Sequence, residues 1–137
     1  MKYMLDTNTC IFAIRGDRKP NSIYQSVVDK VKQETELIVS SLVLAELMHG
    51  VKMSKFEDED KSALRKFLLK MEIADFDTKA AEEYGKIRAD LQKNGKLIGI
   101  MDMLIAAHAK ASDAVLITNN KKDFERINGL KIEDWKE

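Results

Sequence analysis

The sequence predicts an α/β fold built on a mainly parallel sheet. Two observations carry this. Short apolar runs at Tyr3 to Leu5, Glu36 to Ser40 (ELIVS) and Ala114 to Thr118 (AVLIT) alternate with longer segments whose apolar residues recur at helical spacing. The same runs end abruptly in polar residues, Asp6-Thr7-Asn8, Ser40-Ser41 and Asn119-Asn120. Open parallel sheets bind ligands outside the carboxyl ends of their strands, so those residues mark the edge to search.

Each element follows from local signals. Tyr3 to Leu5 reads as a short buried strand, and Thr7 or Asn8 can cap a helix over Thr9 to Arg15. The loop from Gly16 holds the only proline, Pro20. Asn21 or Ser22 then caps a second helix with Ile23, Val27 and Val31 on one face. After the ELIVS strand, Ser40 or Ser41 caps a helix over Leu42 to Met53, with Leu44, Leu47, Met48 and Val51 as its apolar stripe. Glu57 to Met71 opens on acids, which suit a helix N-terminus, and buries Leu64, Phe67, Leu68 and Met71. Ile73 to Phe76 is a short strand. Asp77 caps a long helix to Lys93 with Ala81, Tyr84, Arg88 and Leu91 on one side, and Asn94-Gly95 ends it. Leu97 to Met101 is a loop, and Asp102 opens an Ala-rich helix to about Ser112. Asp123 falls in the loop after the AVLIT strand, and Leu130 to Trp135 forms a last edge strand.

The bulk numbers narrow the classes. The 137 residues fit one domain spanning 1–137, long enough to bury a core. Apolar residues make up 45% and charged residues 34%, an ordinary composition for a water-soluble domain. No run approaches the ~18 apolar residues of a membrane span, and no basic start precedes a long apolar run, so the expected location is cytoplasmic, away from membranes. Lys plus Arg equals Asp plus Glu, 23 each, so a nucleic-acid contact must come from a local patch. Cys10 is the single cysteine, which excludes an internal disulfide and a thiolate zinc cluster and suits a packing role. His49 and His108 lie in no HExxH pattern. A Walker loop, GxGxxG and GxSxG are all absent.

Four acids stand out by placement. Asp6 follows the first strand, Glu46 lies in the first turns of the helix after the second, Asp102 opens the Ala-rich helix, and Asp123 follows the AVLIT strand. Each has an ordinary reading: a turn or cap for Asp6, an N-cap for Asp102, a surface position for Glu46, a partner for Lys121 or Lys122 for Asp123. In a parallel sheet, however, strand ends and the helix starts that follow them face one edge, so the four can converge. Crowded carboxylates need protonation or a cation. A hard cation, Mg²⁺ or Mn²⁺, suits an all-oxygen site.

Leu5-Asp6-Thr7-Asn8, Ala45-Glu46-Leu47-Met48-His49-Gly50, the run Ile98 to Ala109 around Asp102, and Leu116 to Asn120 followed by Asp123-Phe124 resemble a PIN-domain ribonuclease, in particular the VapC toxins of VapBC toxin–antitoxin modules. Four motifs in order make the resemblance specific, and it runs nearly end to end. It implies a PIN-domain α/β/α sandwich and a Mg²⁺-dependent endoribonuclease, with Mn²⁺ as a substitute. By position Asp6, Glu46, Asp102 and Asp123 form the acidic quartet, Asp123 being a shorter version of a glutamate common there. Thr7, Asn8, Thr118 and Asn119 would orient these acids or water, and Arg88 matches a family arginine able to pair with one of them. The resemblance further implies a homodimer, inhibition by a VapB-type antitoxin in a larger hetero-oligomer, operator DNA bound only through that antitoxin, and structured RNA as substrate: tRNA, initiator tRNA first, or ribosomal RNA.

The expected reaction is metal-assisted hydrolysis of an RNA phosphodiester. Asp6 and Asp102 hold the metal, Glu46 positions it or the attacking water, and Asp123 supports from further out. Lys93, Lys96, Lys121, Lys122 and Arg126 lie near the edge and can meet flanking phosphates. Two rivals are weaker. A haloacid-dehalogenase-like phosphatase wants DxD where residue 8 is Asn. A non-catalytic PIN-like module that binds RNA or protein leaves the intact acidic set unexplained.

Overall fold

The computed structural model describes residues 1–136. Among them five strands form one sheet: β1 (Lys2–Leu5), β2 (Glu36–Ser40), β3 (Glu72–Ala74), β4 (Val115–Ile117) and β5 (Ile132–Glu133). Their order is β3-β2-β1-β4-β5 and every neighbouring pair is parallel. Tyr3 is the register residue of the centre, opposite Leu37 on one side and Val115 on the other. The chain winds outward from β1 to β3 and then returns to β4. The winding therefore reverses between β1 and β4, and the ligand crevice of such a sheet lies outside the carboxyl ends of those two strands.

Helices α1 (Thr7–Arg15) and α2 (Ser22–Lys32) join β1 to β2; α3 (Ser41–Lys52) and α4 (Glu57–Leu68) join β2 to β3. Helices α5 (Thr78–Lys93) and α6 (Ile100–Ala111) carry the chain back to β4, and a single turn, α7 (Lys121–Phe124), precedes β5. Right-handed crossovers put α1–α4 on one face and α5–α6 on the other. The core between the layers takes Met4, Leu5, Val39, Leu116 and Ile117 from the sheet, Cys10, Val27 and Val43 from one layer, and Leu91, Met103 and Ile105 from the other. Strands buried on both faces explain why YML and AVLIT read as continuous apolar runs.

Caps account for most boundaries. Asn21 Oδ1 accepts from Tyr24 N and Asp77 Oδ1 from Ala80 N, as expected of Asn and Asp. Helix α5 ends in a Schellman turn, with Gly95 at φ 66, Lys96 N bonded to Leu91 O and Gly95 N to Gln92 O. Helices α2 and α6 end the same way without glycine, through Glu34 (φ 55) and Asp113 (φ 52).

Several expectations need correction. Helix α1 is capped by Asp6 itself, not by Thr7 or Asn8, and starts two residues earlier. The buried positions of α3 are Val43 and Leu47, while Met48 is 52% exposed, because the helix turns its Val43 side to the sheet and leaves Leu44 and Val51 half-buried. In α5 the core takes Ala80, Ile87 and Leu91, so Ala81 and Arg88 face outward. Val31 of α2 is exposed as well. Helix α4 stops at Leu68 and β3 covers Glu72–Ala74. Helix α6 begins at Ile100 behind the N-cap Gly99, which places Asp102 inside its first turn. Asp123 sits in the α7 turn, not in a loop. The last strand shrinks to Ile132–Glu133, because the Trp135 ring leaves the sheet edge to tilt against Tyr3 at 5.4 Å. Position 137, the end of the expected domain, lies outside the described residues.

Candidate active site

Asp6 comes first because the chain fixes it most firmly. Its backbone N–H extends the β1–β4 ladder to Ile117 O at 3.1 Å, and its Oδ1 accepts from Thr9 N at 2.9 Å. It is 7% exposed. One carboxylate oxygen is thus committed to the helix cap, and the residue cannot rotate away without losing it. Thr9 completes the anchor, its hydroxyl donating to Ile117 O at 3.1 Å. Thr9 is a site-supporting residue that sequence reading missed. The signal was a polar side chain three residues past an acid that can cap.

Glu46 enters from α3, half-buried, with Oε1 accepting from Thr7 Oγ1 at 2.5 Å. The start of α1 and the second turn of α3 therefore meet over 39 residues of chain. Asp123 is placed by its own turn: Asn120 Nδ2 donates to its Oδ2 at 3.1 Å, and Arg126 Nη2 stands 4.0 Å from Oδ1. Asn120 is in turn held by Thr118, whose buried Oγ1 accepts from Asn120 N at 3.0 Å. Asn120, a neighbour of the expected Asn119, is the amide that touches an acid. Asn119 and Asn8 are exposed.

Asp102 ties the group together. Burial raises its carboxyl above the ordinary range, and the charges of Asp6, Asp123 and Glu46, in that order, raise it further. The four expected acids share one electrostatic environment at the carboxyl edge of β1 and β4. Among the described residues, no three His, Cys, Asp or Glu side chains are already drawn into a closed metal cage. The donor set is all oxygen, negative in excess and open, and Asp102 holds its charge at a cost. Those features fit a hard divalent cation that keeps part of its water shell. A closed zinc site does not fit, since no cysteine or histidine joins the acids.

Other candidates fall away from the cluster. Arg88 donates from Nη1 to Tyr84 Oη at 2.8 Å on the exposed side of α5, and among the described residues no ion pair joins it to any of the four acids. The sequence pattern puts it on a buried face. The helix instead packs through Ile87 and Leu91 and turns residue 88 outward. Cys10 is fully buried, its thiol pushed well up by burial and by the charge of Asp6, which is the state of a packing residue. His49 is exposed and His108 is buried away from the acids. Arg126 spends its guanidinium on the carbonyls of Lys96 and Leu97 at 3.5 and 3.3 Å as well as on Asp123, so it braces the loop before α6.

Comparison with known proteins agrees with this arrangement. A PIN-domain family model matches residues 3–130. Ribonuclease VapC2 of Rickettsia felis is 45% identical over 135 residues, 98% of each chain. The tRNA(fMet)-specific endonuclease VapC of Salmonella typhimurium is 39% identical over 135 residues, again 98% of each. In the crystal structure of VapBC2 from Rickettsia felis bound to a promoter DNA fragment, a 44% identical chain superposes with a TM-score of 0.90, covering 98% of this chain and 99% of that one. The match takes in the sheet whose winding reverses beside Asp6 and each of the four acids gathered there, and so the chain belongs to the PIN-domain family, among its VapC ribonucleases.

Proposed function

We propose that this chain is the toxin of a VapBC-type module, a Mg²⁺- or Mn²⁺-dependent endoribonuclease acting as one PIN domain over 1–137. The observation that carries the reading is the carboxyl of Asp102, raised by burial and by Asp6, Asp123 and Glu46 together. Four acids in one field have no structural use, because their repulsion opposes folding, whereas a cation among them turns the repulsion into binding.

Asp6 and Asp102 would hold the cation, Asp6 through the oxygen its cap leaves over and Asp102 from the first turn of α6. Bound there, the ion supplies Lewis-acid charge for the scissile phosphate and makes water a stronger nucleophile near neutral pH. Glu46 receives the Thr7 hydroxyl on Oε1, which leaves Oε2 to orient the attacking water and take its proton. Asp123, fixed by Asn120, holds water at the outer side of the site. Lys93, Lys96, Lys121 and Lys122 are exposed and would meet phosphates flanking the cut.

Substrate and partners follow from the relatives. The Salmonella typhimurium relative is named for tRNA(fMet), which makes initiator tRNA the first substrate to test. The Rickettsia felis neighbour was solved as a VapBC complex on promoter DNA, which supports a VapB-type antitoxin as inhibitor and operator contact made through it. A homodimer and a cytoplasmic location belong to the same reading; no helix among the described residues is long and apolar enough to cross a membrane.

The test is cleavage of purified initiator and elongator tRNAs and ribosomal RNA with Mg²⁺, Mn²⁺ or EDTA. Cleavage of one RNA at one position, abolished by EDTA and by Asp102→Asn, is expected. Undiminished cleavage in EDTA would remove the metal, and binding without cleavage under every cation would leave a non-catalytic module.

A further inference from the structure

Outside the acidic cluster, one buried polar contact joins two of the helices that carry it. Ser40 and His108 lie 68 residues apart, with Ser40 Oγ 2.8 Å from His108 Nδ1. Ser40 is 0% exposed and His108 2%. Ser40 is the last residue of β2 and the N-cap of α3, and its Oγ also accepts from Leu42 N at 3.2 Å. With that lone pair committed, the serine proton is left to donate to Nδ1. The proton of the neutral ring then sits on its other nitrogen, and the backbone of Asp75 hydrogen-bonds the ring. Phe76 closes the remaining side: its ring meets the imidazole edge-on at 5.5 Å, and its backbone N–H donates to Ser41 Oγ at 3.0 Å.

The contact therefore pins the end of β2, the start of α3, the segment after β3 and the middle of α6 at one point. Glu46 lies six residues beyond Ser40 on α3, and Asp102 six residues before His108 on α6. At 1.5 Å per residue each acid stands about 9 Å along its helix from the joint. An apolar pair would fill the same space but would let α3 and α6 slide. A directional hydrogen bond between buried groups fixes their register. We propose that His108, through Ser40, is a positioning residue that sets Asp102 against Glu46 for divalent-cation binding and RNA cleavage. This rests on the reading of the four acids as the metal site.

Burial pushes the imidazole below its ordinary value, while the Asp77 charge and the backbone and charge of Asp75 oppose that shift. The neutral ring is the form that can accept from Ser40. The groups facing the ring do not include the four acids, so His108 acts through the placement of α6 and not as a proton carrier.

The experiment compares Ser40→Ala, His108→Phe, the double variant and His108→Asn, with Asp102→Asn as reference. Readouts are Mn²⁺ affinity by electron paramagnetic resonance, kcat and KM for RNA cleavage, and melting temperature. Ser40→Ala and His108→Phe should each weaken Mn²⁺ binding about tenfold and lower kcat with KM unchanged, the range seen when groups behind metal ligands are removed. The double variant should be no worse than the single ones, since both break one contact. His108→Asn presents a polar atom near the Nδ1 position and should recover most of the loss. Should His108→Phe not fold, Ser40→Ala against His108→Asn decides. Wild-type Mn²⁺ affinity and kcat in the folded Ser40 and His108 variants would overturn the inference alone. Wild-type Mn²⁺ affinity in Asp102→Asn would overturn the site reading, and the inference with it.

Discussion

Thr7 donates its hydroxyl proton to Glu46 Oε1 at 2.5 Å, joining the first residue of α1 to the second turn of α3. The bond fixes one oxygen of Glu46 and so aims the other. Thr7→Val keeps the shape and β-branching and removes only the hydroxyl. Cleavage should fall roughly 10- to 100-fold, the usual cost of losing a group that orients a metal-site ligand. Thr7→Ser should keep near-native rates. Equal rates for the valine and serine variants, measured as single-turnover cleavage of one RNA, would mean that Glu46 needs no such aim.

Asp6 does two jobs, and two substitutions separate them. Its Oδ1 caps α1 through Thr9 N, and its charge belongs to the acidic cluster. Asp6→Asn keeps a capping oxygen and removes the charge; Asp6→Ala removes both. Both should lose cleavage by roughly 100-fold or more, as expected when a charge-stabilising group leaves a reaction centre. Only alanine should lose the cap, about 1 kcal/mol relative to asparagine in denaturant unfolding. Identical unfolding midpoints for the two variants would show that the cap is energetically silent.

Asp102 makes metal-free stability depend on pH. Its raised carboxyl binds a proton more tightly folded than unfolded, so its stabilising contribution is whole below about 3.8, the ordinary value, and is lost as pH rises through the raised one. At pH 7 the ionised group weighs against the fold. Asp102→Asn should therefore melt higher than wild type at pH 7 in EDTA, with the difference narrowing toward pH 4. Added Mn²⁺ should raise the wild-type melting temperature, more at pH 7 than at pH 5, and leave Asp102→Asn nearly unmoved. A variant that melts lower at pH 7 without metal, or gains equally from Mn²⁺, would contradict the repulsion inferred for this group.

These residues also show how far the sequence could be read. Strand runs and caps are local, so YML, ELIVS, AVLIT, Asn21 and Asp77 were legible, as was the edge holding the acids. Which side of a helix meets the sheet depends on the docking angle, which periodicity alone does not set: Val43, not Met48, is buried in α3, and Arg88 points outward from α5. Long-range hydrogen bonds leave still less trace. Thr9 on Ile117 O, Asn120 on Asp123 and Ser40 on His108 involve residue types common in caps and turns, and only the assembled fold chooses their partners. Asp102 reads as an N-cap in the sequence because Asp favours that place, whereas Gly99 holds it and leaves the carboxylate to the cluster.

The basic residues near the site divide by what else they do. Lys121 and Lys122 are exposed on α7, beside Asp123 in the chain, and make no ion pair among the described residues. Their charge is available to phosphate. Arg126 is engaged with Lys96 O, Leu97 O and Asp123. Replacing both lysines with alanine should weaken RNA binding uniformly and flatten log Kd against log salt by about 1.5, at roughly 0.7–0.9 for each phosphate no longer neutralised. Arg126→Lys keeps the charge but loses the fork that spans two carbonyls and an acid, so it should leave the salt slope intact and lower kcat instead. Binding titrations from about 50 to 200 mM salt with a catalytically dead Asp102→Asn background measure the slope, and cleavage in the native background measures the rate. An unchanged slope in the double lysine variant would move the RNA path away from α7.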